Sequence, residues 1–135
     1  MLILDASVYI ASTLPDEDNA VFLPIVRSIA AGKIQASAPF LFLHEVANSF
    51  LNSVRRKRIT PEMANHYMHL ATTFPIQLDS ENNAREALEA GMLYGLTAYD
   101  ACYLLLAQRL QAPIVTLDKT LEKAAALKGL IYHPN

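Results

Sequence analysis

Cysteine is almost absent from this chain. Cys102 is the only one in 135 residues, so no intrachain disulfide can form, and a reducing cytoplasmic compartment is the natural expectation. Glycine is scarce at four residues, and no low-complexity segment, linker or internal repeat breaks the chain. No apolar stretch reaches the roughly 18 residues of a membrane span, which excludes a helical membrane protein. The opening Met-Leu-Ile-Leu-Asp-Ala-Ser lacks the basic residues of a secretion signal, and Asp5 interrupts its apolar run. Positive charge is also in short supply. Eleven Lys and Arg against thirteen Asp and Glu leave a net charge of −2, a balance that argues against broad nucleic-acid binding. The one dense basic run is Arg55-Arg56-Lys57-Arg58.

What remains is the composition of a folded globular protein, 53% hydrophobic and 18% charged. The length fits one domain over residues 1–135, large enough to bury roughly two-thirds of its surface without a metal or disulfide staple.

Short apolar runs alternate with longer stretches of helical spacing. Leu2-Ile3-Leu4 reads as a buried strand ending at Asp5, with a short helix over Ser7–Thr13. Pro15-Asp16-Glu17-Asp18 reads as a turn into acidic first-turn residues, and a helix over Val21–Ala31 stops at Gly32. Ile34-Gln35-Ala36 is a weak strand, and Pro39 opens a helix to about Val54. On that helix Leu43, Ala47, Phe50 and Val54 share one face, and Glu45 lies opposite with Asn48 and Asn52. Thr60-Pro61-Glu62 opens a helix that ends before Pro75. Ile76-Gln77-Leu78 is a strand, and Ser80 starts a helix to about Ala90. Thr97 starts a helix over Ala98–Leu110, Pro113–Thr116 is a strand, and Asp118 begins the next helix. Leu130-Ile131 reads as a last short strand. This order predicts an α/β fold, a three-layer sandwich around a mostly parallel sheet.

In open parallel sheets, ligands bind beyond the carboxyl ends of the strands. Asp5 and Asp118 both stand at such ends, which makes them candidates for one crevice although they are 113 positions apart in sequence. Carboxylates held together repel, and a divalent cation is the usual remedy; oxygen donors suit magnesium or manganese. Each acid also has a plain structural reading. Asp5 and Asp118 are placed to cap the helices that follow them. Thr97 and Asp100 have the spacing of a capping box. Glu45 alone reads as a solvated helix residue.

Four segments taken together carry a resemblance. Leu-Ile-Leu-Asp-Ala-Ser-Val at 2–8, His-Glu-Val-Ala-Asn at 44–48, Leu-Thr-Ala-Tyr-Asp-Ala-Cys-Tyr at 96–103 and Ile-Val-Thr-Leu-Asp-Lys-Thr-Leu at 114–121 resemble, in order and spacing, the four acidic motifs of PIN domains. Among these, the chain looks most like the stand-alone VapC-type toxins of prokaryotic toxin–antitoxin pairs. The resemblance implies an α/β/α sandwich and a metal-dependent endoribonuclease that cuts single-stranded or looped RNA. It implies that Asp5, Glu45, Asp100 and Asp118 form the catalytic, magnesium- or manganese-binding set, with Ser7 and Thr116 in support. It also implies a cognate antitoxin and a homodimer. One departure is visible: Asp118 is followed by Lys119, Thr120 and Leu121, and Glu122 is less well placed for a second metal site.

On this reading Asp5 and Asp118 are direct ligands, and Glu45 or Asp100 holds or deprotonates the attacking water. Arg55, Arg56, Lys57 and Arg58 are candidates for phosphate contacts, or else a solvated turn. His66 and His69 are three apart on a helix, but lack a third ligand and read as a polar face. Tyr99 and Tyr103 read as packing residues rather than base-stacking platforms. Cys102 reads as an inert core thiol. Phe40, Phe42 and Phe50 read as core or interface, and the helix near Phe40–Phe50 is a candidate partner surface. Two other functions stay open. One is a catalytically silent PIN-like binding module. The other is a receiver-type phosphoacceptor, in which Asp79 would be the mid-chain strand-end acid.

Overall fold

The computed structural model describes residues 1–17, 20–81 and 83–134, so Asp18 of the expected turn lies outside the described residues. The elements are β1 (Leu2–Leu4), α1 (Ala6–Thr13), α2 (Leu23–Ala30), β2 (Ala36–Pro39), α3 (Phe42–Arg55) and α4 (Pro61–Thr73). They continue with β3 (Gln77–Asp79), α5 (Ala84–Tyr94), α6 (Ala98–Leu110), β4 (Ile114–Val115) and α7 (Lys119–Leu127).

The four strands pair in the order β3-β2-β1-β4, all parallel. Ile131 adds an isolated parallel bridge to Ile114, which is all that forms of the expected last strand. This order explains the layering. The links from β1 to β2 and from β2 to β3 step across the sheet in one direction, and the link from β3 to β4 steps back. Right-handed crossovers therefore send α1 to α4 over one face and α5 and α6 over the other. The packing agrees: α1 lies on α2 and α3, and α3 on α4, whereas α6 covers β2, β1 and β4 and carries α5 and α7 beside it. The result is the three-layer α/β/α sandwich. The direction of travel reverses between β1 and β4, which is where such sheets open a crevice.

Several helix starts follow from their capping residues. Thr60 accepts a hydrogen bond from the Met63 amide ahead of Pro61, and Thr97 accepts one from the Asp100 amide. Three expectations need correction. The second strand is Ala36–Pro39, not Ile34–Ala36, so Pro39 closes a strand instead of opening a helix. Alanine and serine have poor strand propensity, but every residue of this strand is buried between the layers. A proline at its end withholds no needed ladder donor. The fifth helix starts at Ala84, not Ser80, because Asn83 supplies the cap by accepting from the Glu86 amide. The buried stripe of α3 is Phe42, Val46, Phe50 and Ser53, which keeps the expected Phe50 but replaces Leu43, Ala47 and Val54 by the residue before each.

In the proposed partner surface near Phe40–Phe50, Leu41, Phe42, Val46 and Phe50 are used inside and Phe40 stays exposed. Phe42 and Phe50 are buried, and Tyr9 of α1 stacks edge-on to Phe42 at 5.7 Å and to Phe74 at 4.9 Å. Among the described residues no single helix is long and apolar enough to cross a membrane. The adjacent pair α5 and α6 meets at 101°, and α6 packs into the core.

Candidate active site

Asp5 directly follows β1 and is almost fully buried. It is the N-cap residue of α1, as expected, but its side chain is not committed to a geometric capping hydrogen bond. Instead two hydroxyls converge on its Oδ2: Ser7 Oγ and Thr116 Oγ1 each donate at 2.6 Å. Both hydroxyls are held in turn. The Leu117 amide donates to Ser7 Oγ at 3.1 Å, and the Asp118 amide donates to Thr116 Oγ1 at 3.0 Å. The ends of β1 and β4 are therefore knitted by side chains where the ladder stops. The fixed hydroxyls set the plane of the Asp5 carboxylate.

Asp118 caps α7 as expected, with Oδ1 accepting from the Leu121 amide at 2.8 Å, and it also lines the crevice. The two readings of this residue are compatible. Thr97 caps the Asp100 amide, and Asp100 lines the crevice. Glu45 comes from α3 and accepts a hydrogen bond from the Tyr103 hydroxyl at 2.6 Å. The four acids thus reach one crevice of about 730 Å³ from four separate parts of the chain.

Their electrostatics reflect crowding. Burial, with the nearby Asp118 adding to it, raises the pKa of Asp5 against the lowering effect of its two hydroxyl donors. Burial first, then the charges of Asp5 and Asp100, pushes Glu45 up to about 7, although the Tyr103 hydroxyl opposes this. Burial, then Asp5 and Asp118, pushes Asp100 up to about 6. Among the described residues none of the four acids makes an ion pair. The acids are near enough to oppose one another's ionisation. Among the described residues, however, no three His, Cys, Asp or Glu side chains form a closed cation cage as they lie. The donor chemistry, hard carboxylate oxygens braced by hydroxyls, fits a magnesium- or manganese-sized ion that would draw the groups together.

The crevice continues along the polar side of α3, past His44, Asn48, Ser49 and Asn52, to Arg56 and Arg58. The basic run is the end of α3 and its turn, with Lys57 in the left-handed conformation at φ 59°. Arg55 and Lys57 do not line the crevice. Arg58 makes a loose ion pair with Asp16 at 3.9 Å. Tyr99 is 67% exposed at the crevice rim, which corrects its reading as a packing residue. Tyr103 is buried, but it packs with its hydroxyl on Glu45, a role that sequence spacing did not suggest. The signal was present in the i, i+3 relation of Asp100 and Tyr103, which sets both on one side of α6. Cys102 is half-buried and its thiol is pushed up, by burial first and then by Glu45. Glu122 pairs with Lys119 at 3.3 Å and does not line the crevice. His66 and His69 are exposed on α4.

A parallel sheet with acids gathered at its switch point defines an α/β protein with a candidate hydrolytic crevice. The PIN domain family model matches residues 2–127, and the chain belongs to that family. It is 29% identical over 130 residues to Ribonuclease VapC3 of Pyrobaculum aerophilum, covering 93% of this chain and 96% of that one. The fold is similar to the crystal structure of PAE2754 from Pyrobaculum aerophilum, with a TM-score of 0.69 and 20% identity over 90% of this chain and 82% of that one. It is also similar to Mycobacterium tuberculosis VapC20, a sarcin-ricin loop cleaving toxin, with a TM-score of 0.65 and 12% identity over the whole of both chains. Membership of this family removes the phosphoacceptor reading. So does the position of Asp79, two strands away from β1 and paired with Arg109 at 2.7 Å.

Proposed function

We propose that residues 1–135 form one PIN domain that acts as a magnesium- or manganese-dependent endoribonuclease, the VapC-type toxin of a toxin–antitoxin pair. The single observation that carries this reading is the crevice itself. Four acids from four segments line it, and none has a cationic partner among the described residues. The similarity to Ribonuclease VapC3 over nearly the whole chain supports RNA as the substrate.

Asp5, Glu45, Asp100 and Asp118 would hold the ion. When bound, it supplies a Lewis acid and a positive field for the scissile phosphate. Ser7 and Thr116 keep the Asp5 carboxylate in one plane. Glu45 or Asp100 would hold or deprotonate the attacking water. RNA then lies along the α3 side of the crevice, with Arg56 and Arg58 at phosphates and the exposed Tyr99 ring offered to a base. Arg55 and Lys57 contribute only to the local field.

The protein partners in this reading are a cognate antitoxin and a second copy of the chain, in the cytoplasm. Leu88, Met92 and Leu93, each more than half exposed along one side of α5, support a protein contact there.

The test is cleavage of a mixed structured RNA, with magnesium and with EDTA, beside Asp5→Asn and Asp118→Asn. Magnesium-dependent cleavage lost in both variants, with their melting curves retained, is the expected result. Asp5→Asn should lower the rate by about 100-fold or more. Absence of both cleavage and metal binding in the parent chain would bring the silent binding-module reading forward.

A further inference from the structure

Tyr103 stands one turn beyond Asp100 on α6 and is fully buried. A buried phenol needs a partner for its single polar atom. This one finds two, at the edge of the crevice. Its hydroxyl donates to Glu45 Oε1 at 2.6 Å and accepts, at 3.4 Å, from the amide of Ala6, the residue after Asp5. One hydroxyl therefore joins α6, which carries Asp100, to α3, which carries Glu45, and to the start of α1 beside Asp5. A glutamate side chain on a helix turns about three bonds, and a bond to a rigid, packed ring restricts them. The ring cannot follow Glu45 if the carboxylate swings, because it is locked in the core.

We propose that Tyr103 is a positioning residue for this site: its hydroxyl holds the Glu45 carboxylate where a divalent cation meets it, so that Tyr103 sets cation affinity without touching the cation. The inference rests on the reading of Glu45 as a metal-site carboxylate. Phenylalanine at position 103 would fill the same core volume and leave α6 in place, but it would release Glu45. Groups that orient ligating carboxylates typically carry about 10- to 100-fold in metal affinity.

The experiment is manganese binding to the metal-free full chain, read from the electron paramagnetic resonance of free Mn2+. Four proteins are compared: the parent, Tyr103→Phe, Glu45→Ala and the double variant. Tyr103→Phe is expected to weaken Mn2+ binding about 10-fold while its circular dichroism matches the parent. Glu45→Ala is expected to weaken it at least as much, and adding Tyr103→Phe to it should change affinity by less than about 2-fold. Parent-like affinity in Tyr103→Phe beside a weakened Glu45→Ala overturns the role of Tyr103 alone. An equal loss in both backgrounds also overturns it, since the ring would then act through packing. Parent-like affinity in Glu45→Ala, or no Mn2+ uptake by the parent, overturns the metal-site reading of Glu45 and this inference with it.

Discussion

At the end of β3, Asp79 lies 2.7 Å from Arg109, which also pairs with Glu81. At the ends of β1 and β4, Asp5 and Asp118 meet Glu45 and Asp100 with no ion pair among the described residues. Asp79 in the first group, and Asp5 and Asp118 in the second, stand at or just past the carboxyl ends of parallel strands in the same sheet. The first is neutralised by the chain's own arginine, and the ion pair raises the Arg109 pKa in return. The second has hydroxyls in place of cations, and burial raises three of its carboxyls. An acid cluster alone says little about function. An acid cluster that the fold has left without compensation marks where outside charge is expected.

That contrast can be broken most sharply by adding the missing charge. Manganese at about 100 times its dissociation constant should stabilise the parent by about 2.7 kcal/mol, visible as a raised melting temperature. The gain should vanish in Asp5→Asn and persist in Asp79→Asn. An equal gain in both variants would mean that the ion binds elsewhere.

A smaller effect is expected from pH in the absence of metal. Glu45 and Asp100 bind protons more tightly folded than unfolded, so the folded state holds the extra protons between about pH 4 and 7. Their contribution to stability is fully present below the unfolded pKa values and is lost as pH rises through about 6 to 7. After allowance for solvent screening, the loss between pH 5 and pH 8 should be on the order of 2 kcal/mol. Calorimetry at the two pH values checks this, and a melting temperature that rises over that interval would refute the sign. Saturating manganese should flatten the dependence, because metal binding needs the deprotonated groups.

The smallest effect belongs to the compensated cluster. Arg109→Ala removes two surface ion pairs and should cost less than about 1 kcal/mol, diminishing in high salt. It should leave manganese affinity unchanged. A denaturant titration at two ionic strengths reads the first, and the same binding assay reads the second.

The parts of the fold that local chemistry controls were legible from the sequence. Thr60-Pro61, Thr97 and Asp118 start helices where expected, since a capping side chain acts within three residues of itself. The strand Ala36–Pro39 was misplaced because its identity comes from the layers that bury it and not from its own residues. The same division holds at the site. Asp5 and Asp118 could be assigned to one crevice from strand ends and parallel topology alone. Glu45 and Asp100 joined them only through the family resemblance, since nothing in their local sequence fixes the direction in which a helical carboxylate points.

Tyr103 shows the limit most clearly. Its neighbours in sequence are apolar, and it reads as packing, which it also is. Its contact with Glu45 spans 58 residues and depends on how α6 crosses the sheet against α3. By itself the sequence determined the α/β class, the helix starts marked by Thr60, Thr97 and Asp118, and the four acids as candidates, because periodicity, capping and motif order are properties of the linear chain. Only the tertiary structure decided that these acids face one crevice without a counter-charge, that Asp79 is neutralised instead, and that a buried phenol holds Glu45. Those outcomes depend on distances between segments that the linear order leaves free, and they are set when the sheet order brings β1 beside β4.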